Sequence, residues 1–191
     1  MSSKSYHHGD LRTAMIEKGI KLINENGAKT ISLRKVAAAC GVSHAAPYSH
    51  FANKEDLFTA IKDHITVQFS DALRESVKET KETPEGLVRL GCAYAMFFVR
   101  NPEYFRFIFS HSGISAGEDR PYEPYDFYVA FMQKLLDKMD YPQELRLKAK
   151  IAQWAMFHGL TAVVLMLRGN EGFDWEEIVA DILSNNYLLI K

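Results

Sequence analysis

Residues 31–56, ISLRKVAAACGVSHAAPYSHFANKED, contain the pattern that decides the fold. A short apolar helix is expected after Ser32, whose hydroxyl suits the N-cap position. Gly41 then supplies a turn conformation that residues with a Cβ resist. Ser43 is expected to cap a second, very short helix, which carries small and polar residues where a core helix would carry leucine. This spacing predicts a helix-turn-helix suited to contact with DNA.

The residue pattern of the second short helix indicates which side chains contact a duplex. Its exposed face begins with residues 44–46, which are small enough overall to let the backbone approach a major groove. Tyr48 and His50 are expected near the rim, where a hydroxyl and an imidazole reach phosphates. Lys54 opens the next helix, and free backbone N–H groups beside a cation can hold one more phosphate.

Residues 8–65 closely resemble the DNA-binding domain of the TetR family of transcriptional repressors. The resemblance rests on AMIEKGIKLINENG (14–27), the turn CGVS (40–43) and above all YSHFANKEDLF (48–58). It implies that Ser32, Arg34, Tyr48, His50 and Lys54 hold the phosphate backbone, while His44, Ala45 and Ala46 face base edges. With the predicted cap, the expected DNA-binding residues are Ser32, Arg34, Ser43, His44, Ala45, Ala46, Tyr48, His50 and Lys54.

Pro47 departs from the family pattern, because many members carry leucine there. If Ser43 is the N-cap, Pro47 is the fourth residue of the second helix and removes one early hydrogen bond. Because the loss falls near the first turn, we expect a slightly tightened helix start rather than a break.

Charge is unevenly distributed along the 191 residues, although the net charge is only −1. Residues 1–60 carry eight lysines and arginines against five aspartates and glutamates, a balance of +3, which leaves −4 for the remainder. This asymmetry predicts a basic DNA-binding domain over 1–53 and an acidic body over 54–191. Cys40 and Cys92, 52 positions apart, form no zinc or redox motif, so buried thiols are expected.

Apolar residues recur at helical spacing through nearly the whole chain, and no segment alternates convincingly as a strand. We therefore predict an all-α protein, with a three-helix helix-turn-helix domain followed by a helical ligand-binding and dimerisation domain. The segment 151–167 is apolar but too short and too polar for a membrane span, so a buried helix in a cytoplasmic protein is expected. The later helices are expected at 54–78, 84–100, 103–109, 125–139, 143–168 and 175–189, with an irregular loop at 112–124.

A second resemblance concerns the C-terminal body. NPEYFRFIF (101–109), WAMFHGL (154–160) and YHHGDLR (6–12) are similar to a TetR-family subgroup whose ligand-binding domain carries a Trp–His–Gly signature. The dense aromatic residues independently favour an apolar cavity in which Gln153 and His158 orient a ligand. The alternative is a packed aromatic core with His158 bonded to a carbonyl. The residues expected to line the cavity are Phe97, Phe105, Phe109, Tyr128, Phe131, Trp154 and His158.

The last two helices predict a homodimer. Small residues on the penultimate helix permit close helix approach, and the last helix has a long apolar stripe. Two such helices from each subunit would form a four-helix interface. The expected interface residues are Ala155, Gly159, Ala162, Ile178, Ile182 and Leu183.

These features predict a homodimeric repressor that a small lipophilic or aromatic effector releases from double-stranded operator DNA, without a cofactor, a metal or a membrane partner. A ligand-responsive activator fits the same residues. An enzyme using the aromatic cavity would depend on His158 with Cys92 or Asp126. Because the sequence has no nucleophile motif, metal cluster or glycine-rich phosphate loop, we expect no enzymatic activity.

Overall fold

The structure, a computed structural model, describes residues 8–111, 122–167, 169 and 172–186. Every regular element within these residues is helical, which confirms the all-α prediction. Short 3₁₀ turns occupy Ala28–Thr30, Ala46–Ser49 and Gln143–Leu145, and a π-helical turn covers Phe107–His111. The α-helices are α1 (His8–Asn26), α2 (Leu33–Ala39), α3 (Lys54–Ser76), α4 (Pro84–Arg100), α5 (Pro102–Arg106), α6 (Glu123–Lys138), α7 (Arg146–Leu167) and α8 (Trp175–Asn186).

Local sequence explains where several helices begin and end. The Ser32 hydroxyl accepts a hydrogen bond from the backbone N–H of Lys35 at 3.3 Å, which confirms the predicted cap of α2. Thr83 caps α4 in the same way through the N–H of Gly86 at 3.0 Å, and Pro84 occupies the first helical position. At the end of α1, Gly27 has a φ of 78° and redirects the chain.

The chain packs as two compact units. The first contains the described residues up to Ile65 and those from Glu103 to His111, and the second contains Thr66–Pro102 and the described residues from Tyr122 onward. The helix α3 contributes to both units. The functional division into 1–53 and 54–191 stays a prediction. Residues with no exposed surface in the first unit are Met15, Ile23, Val36, Ala37, Leu57, Ile61 and Ile65.

In the second unit, α4 packs against both α7 and α8. Gly91 permits this close approach, since a Cβ there would lie 2.4 Å from Phe157 Cε1 and 2.8 Å from Leu183 Cδ1. Phe157 and Leu183 are each 1% exposed. Close packing in the core of this unit therefore depends on a glycine, which has no side chain, at the centre of α4.

Some predicted helix bounds differ from those in the structure. The segment expected at 103–109 is α5 followed by the π-helical turn, and the helix expected from 143 begins as a 3₁₀ turn before α7. Of the loop expected at 112–124, residues 112–121 lie outside the described residues, and α6 already begins at Glu123. Residues 187–189 of the last predicted helix also lie outside them.

One helix within the described residues, Gln143–Leu167, has the length and mean hydropathy, 1.3, that a membrane span requires. Length and composition are weak evidence, because the core helix of a soluble protein meets the same test. Only 22% of its apolar window is buried in the single chain. An apolar surface on α7 is therefore left for some further contact.

Candidate DNA-binding surface and ligand-binding core

The turn of the helix-turn-helix depends on Gly41, whose φ is 69°. An added Cβ would meet no atom within 4 Å, so the requirement for glycine is conformational rather than steric. The N–H groups of Gly41 and Val42 donate to the carbonyls of Ala38 and Ala37, each at 3.1 Å. These bonds end α2 and direct the chain outward toward residue 44.

The second helix differs from the expected one. It is a single 3₁₀ turn, Ala46–Ser49, with Ala45 at the N-cap and no side-chain cap. The prediction that Ser43 caps this helix is therefore wrong: its carbonyl instead accepts from the N–H of Ala46 at 3.0 Å, which places Ser43 in the preceding turn. Pro47 is buried and has no N–H to donate. The tighter 3₁₀ geometry, which we expected only at the start of the second helix, therefore extends over all of Ala46–Ser49.

Several predicted contact residues lie at the surface of this motif. Tyr48 is 57% exposed, and His44 and Ala45 are exposed beside it, whereas Ala46 is half-buried. In α2, before the turn, Arg34 is exposed and the cap residue Ser32 is half-buried. Ser43, in the turn itself, is exposed. The surface formed by Arg34, Ser43, His44, Ala45 and Tyr48 is called the turn surface below.

His50 is less accessible than expected. The ring is half-buried, with its centroid 6.4 Å from that of Phe51, which is itself 2% exposed. The Nε2 atom of His50 is buried and has no hydrogen-bond partner. A phosphate contact by this residue would therefore use Nδ1 unless the ring turns.

The start of α3 is fixed by two reciprocal hydrogen bonds. The Asn53 side chain accepts from the N–H of Asp56 at 2.8 Å, and the Asp56 carboxylate accepts from the N–H of Ala52 at 3.0 Å. Sequence reasoning missed this pair, although an Asn followed three residues later by an acid is a recognisable capping signal. Lys54 lies directly after the cap, with Nζ 4.8 Å from the ring centroid of Phe58. The cap uses the N–H of Asp56, so an anion here would meet the N–H groups of Lys54 and Glu55 together with the Lys54 ammonium group.

In the second unit, the aromatic residues gather around Tyr94, which has no exposed surface. Its ring centroid lies 5.1 Å from those of Phe69 and Trp154 and 5.5 Å from that of Phe98. The Tyr94 hydroxyl lies 3.0 Å from His158 Nδ1. Burial raises the pKa of Tyr94 and lowers that of His158, so the neutral form of each side chain is favoured. The Nδ1 atom of His158 is thus paired with a phenol, and the choice between pocket lining and a structural core role for His158 stays a prediction.

Of the seven predicted cavity residues, Tyr128, Trp154 and His158 belong to the cluster around Tyr94. Tyr128 and Trp154 stack at 4.9 Å, and Phe97 reaches the cluster through Phe69 at 5.0 Å. Phe105 and Phe109 pair with each other at 4.9 Å in the first unit. Phe131 lines a separate groove. We call Phe69, Tyr94, Phe98, Tyr128, Trp154, Phe157 and His158 the aromatic core.

Gln153 and Ser70, in the second unit, each have a buried oxygen atom without a hydrogen-bond partner. Gln153 is 1% exposed with no hydrogen bond to Oε1, and Ser70 is 1% exposed with no hydrogen bond to Oγ. Gln153 lies on the same buried stripe of α7 as Phe157. An unsatisfied buried polar group costs about 1–3 kcal/mol, a cost that a bound ligand can remove.

The outer face of α7 carries an exposed apolar stripe at helical spacing. Leu147 and Met166, at its two ends, are 68% and 76% exposed, and Gly159, at its centre, has no atom near an added Cβ. The α7 stripe consists of Leu147, Ile151, Ala155, Gly159, Ala162 and Met166, all exposed.

On α8, Ile178 is half-buried and Ile182 is 38% exposed, so both retain surface that a partner could cover. Leu183 is buried inside its own subunit against Gly91. Leu183 therefore does not belong to an exposed interface. The apolar residues of α8 are divided, with Leu183 in the core of its own subunit and Ile182 at the surface.

Comparison with known proteins identifies the N-terminal region. Residues 15–61 match the family model described as bacterial regulatory proteins, tetR family. The nucleoid occlusion factor SlmA of Cronobacter sakazakii is 31% identical over 91 residues, which cover 48% of this chain and 46% of that protein. SlmA of Escherichia coli K12 is 29% identical over 93 residues, 49% of this chain and 47% of the relative. The chain thus spans about half the length of the curated relatives that it matches.

Solved structures share the whole fold. A Rhodococcus sp. RHA1 protein of unknown function has a TM-score of 0.78 at 22% identity, covering 96% of this chain and 98% of its own. The fatty acid degradation regulator FadR of Bacillus halodurans has a TM-score of 0.71 at 20% identity over 98% and 97% of the two chains. AibR, solved with isovaleryl coenzyme A and operator DNA, has a TM-score of 0.68 at 21% identity over 92% and 96%.

At these identities the structural likeness establishes the fold alone. The sequence match adds the family of the N-terminal region, a family of regulators rather than of enzymes. Residues 15–61 are therefore similar to the N-terminal domain of the tetR family of bacterial regulatory proteins, within a chain that has the fold of solved TetR/AcrR regulators.

Proposed function

We propose that this protein is a homodimeric, sequence-specific DNA-binding transcriptional regulator of the cytoplasm, most simply a repressor released from its operator by a small lipophilic ligand. The observation that carries the proposal is the turn surface, exposed directly after Gly41 within a region that matches the tetR N-terminal domain. An activator would use the same surface on a differently placed operator.

The DNA side of the proposal rests on two kinds of contact. The turn surface offers His44 and Ala45 to base edges, and the exposed Tyr48 hydroxyl to a phosphate. Lys54 and the first N–H groups of α3 offer a second phosphate site. The excess of positive charge in residues 1–60 strengthens the attraction.

Dimerisation follows from the α7 stripe and from the size of the DNA-reading element. Small residues at the middle of the stripe allow two copies of α7 to approach closely, with larger apolar side chains at each end. A 3₁₀ turn of four residues reads few base pairs, and a two-fold dimer doubles the site. Ile178 and Ile182 would extend the interface, whereas Leu183 supports it from within.

The ligand side rests on the aromatic core. A neutral Tyr94–His158 pair and the unpartnered Gln153 offer a few polar groups within apolar surroundings, as in sites for largely uncharged molecules. The isovaleryl group of the coenzyme A thioester solved with AibR and the fatty acid degradation named for FadR support an effector with a lipophilic acyl part. Membership of the Trp–His–Gly subgroup is part of this proposal. A ligand that lowers DNA affinity must itself bind less tightly, by the same factor, when DNA is bound.

The enzymatic alternative finds little support in the candidate groups. Burial and the nearby Glu176 carboxylate raise the pKa of Cys92 to about 11, so its thiol is protonated at neutral pH. His158 is already engaged by Tyr94. A nucleophile and a base poised for each other are therefore not seen among these residues.

Selection of binding sites from random duplexes tests the proposal. The wild type should return a near-palindromic sequence, and His44→Ala should return a changed preference at one position in each half-site. A contacted base pair contributes about 1–3 kcal/mol of discrimination, which such a selection resolves. Lys21→Ala, on the exposed face of α1, is the matched control and should return the wild-type site. Recovery of random sequence by the wild type would refute sequence-specific regulation.

The likeness to SlmA over about half the chain favours a second candidate function, nucleoid occlusion. The two functions predict different distributions on the chromosome. A transcriptional regulator should occupy a few sites at promoters, whereas a nucleoid occlusion factor should occupy many sites away from promoters. Chromatin immunoprecipitation of the tagged full chain distinguishes them directly.

A further inference from the structure

A groove of about 230 Å³ opens on the second unit between the end of α3 and α6. Its apolar wall is formed by Val77, Phe127 and Phe131, and its polar rim by Lys81, Glu82 and Lys134. None of these residues belongs to the aromatic core. The groove is therefore separate from the ligand site proposed above.

The rim carries more positive than negative charge. The Glu82 carboxylate accepts hydrogen bonds from Lys134 at 3.2 Å and from Lys138 at 3.0 Å. Lys81 forms no ion pair with any residue that the structure describes. The Glu82 carboxylate thus pairs with two ammonium groups, and Lys81 adds a third positive charge to the lining, which leaves the rim complementary to an anion.

The position of Lys81 is set by a strained turn. Its φ is 51°, a left-handed conformation that costs a residue with a Cβ about 1–2 kcal/mol. Its N–H donates to the Val77 carbonyl at 2.7 Å, and its own carbonyl accepts from the N–H of Thr83 at 3.1 Å. A Cβ at Gly86 would lie 2.1 Å from that carbonyl oxygen, so the turn is also closely packed. At position 81, beside the groove, the backbone therefore has a conformation in which glycine would be less strained than lysine.

The apolar wall is also held in place. The Arg74 guanidinium lies 5.2 Å from the ring centroid of Phe127 and pairs with Glu123. Because Glu123 neutralises Arg74, Lys81 remains the groove cation that has no ion pair among the described residues. Phe131 is 4% exposed, so its ring is fixed by the core behind it.

From this juxtaposition we propose that the groove binds a small amphiphilic carboxylate. Its apolar body lies on Phe127, Phe131 and Val77, and its carboxylate meets Lys81 and Lys134. The site is independent of the proposed DNA-binding function and of the aromatic core.

Calorimetric titration of the full chain with 4-phenylbutyrate and with its neutral analogue 4-phenylbutan-1-ol tests the charge requirement. The carboxylate should bind more tightly than the alcohol. Lys81→Met should weaken binding of the carboxylate about two- to five-fold, as expected for an exposed ion pair, and leave the alcohol unchanged. Lys78→Met is the matched control, because Lys78 lies in the same segment but pairs with Glu75 at 3.3 Å.

Filling the groove tests the location. Ala130 is exposed and lines the groove, so Ala130→Trp should fold normally and abolish binding of both probes. Ala130→Glu should weaken only the carboxylate. Equal binding of both probes, no binding of either at millimolar concentration, or binding that survives Ala130→Trp in a folded protein would each overturn the proposal. Because no DNA is present, failure here is distinct from failure of the proposed function.

Discussion

Lys54 combines two predicted means of holding a phosphate, its own charge and the first N–H groups of α3. Asn53 and Asp56 fix that helix start, and the Phe58 ring lies beneath the ammonium group at 4.8 Å. Tyr48 depends on no such support, since 57% of the residue is exposed. The two side chains are therefore expected to contribute affinity without reading bases.

Lys54→Ala should weaken binding to all duplexes about equally and reduce the slope of log affinity against log salt by about one unit per subunit, because one phosphate contact is lost. Tyr48→Phe should weaken binding in the same uniform way. Salt titrations by fluorescence anisotropy measure both effects, with Lys21→Ala as the control. An unchanged slope together with altered base preference would contradict the assignment of Lys54 to phosphate.

At the residue scale, sequence reasoning succeeded where the cause is local. The cap at Ser32 and the left-handed turn at Gly41 each follow from one residue and its neighbours. It failed at Ser43, because Pro47 converts the second helix to a 3₁₀ turn that begins later. The burial of His50 Nε2 depends on packing that no local pattern encodes.

Among the elements, α4 depends on Gly91 for its contact with α7 and α8. Gly91→Ala should destabilise the protein by about 1–3 kcal/mol, because the new methyl group would overlap Phe157 and Leu183. Gly169→Ala is the matched control, because its Cβ meets nothing within 4 Å and Gly169 lies outside the α7 stripe. Urea unfolding of both variants measures the difference. Equal stability of the two would show that the packing around Gly91 is looser than described.

The turn before α4 is tied to α6 by Glu82. Hydrogen bonds from Lys138 and Lys134 lower the pKa of Glu82 from its ordinary 4.5 to about 2. A lowered pKa means that this contribution is complete above pH 4.5 and is lost as the pH falls toward 2.

Glu82→Gln should therefore cost about 0.2–1 kcal/mol at pH 7, within the range of exposed ion pairs. The difference from wild type should shrink as the pH is lowered below 4.5. Unfolding in urea at several pH values checks this, with Glu79→Gln, in the same charged segment, as the control. A difference that grows on acidification would contradict the assigned direction of the pKa shift.

Helix positions were predictable because apolar spacing and end signals agree. The bounds of α4 match the expected 84–100, where Thr83, Pro84 and Asn101 mark both ends. The π-helical turn at Phe107–His111 was not predicted, since nothing in its composition distinguishes it from a continued helix. The aromatic core was located only in part, because Phe69 and Tyr94 come together through tertiary packing of α3 and α4.

At the scale of the whole molecule, the α7 stripe is the basis for the expected dimer. Met166→Glu and Ile182→Glu should each give folded monomers, because the new charge would be buried in the interface without a partner. Leu183→Glu should instead unfold the subunit, since Leu183 is 1% exposed in the single chain. Light scattering with circular dichroism separates loss of the dimer from loss of the fold. A monomer mass for the wild type at micromolar concentration would refute the dimer.

The central claim is that this chain recognises a particular duplex. Fluorescence anisotropy with the DNA upstream of its own gene, compared with a scrambled duplex of equal composition, tests it most directly. We expect two chains per specific duplex and an affinity at least about 10³-fold higher than for the scrambled sequence at physiological salt. Equal affinity for the two duplexes would contradict it.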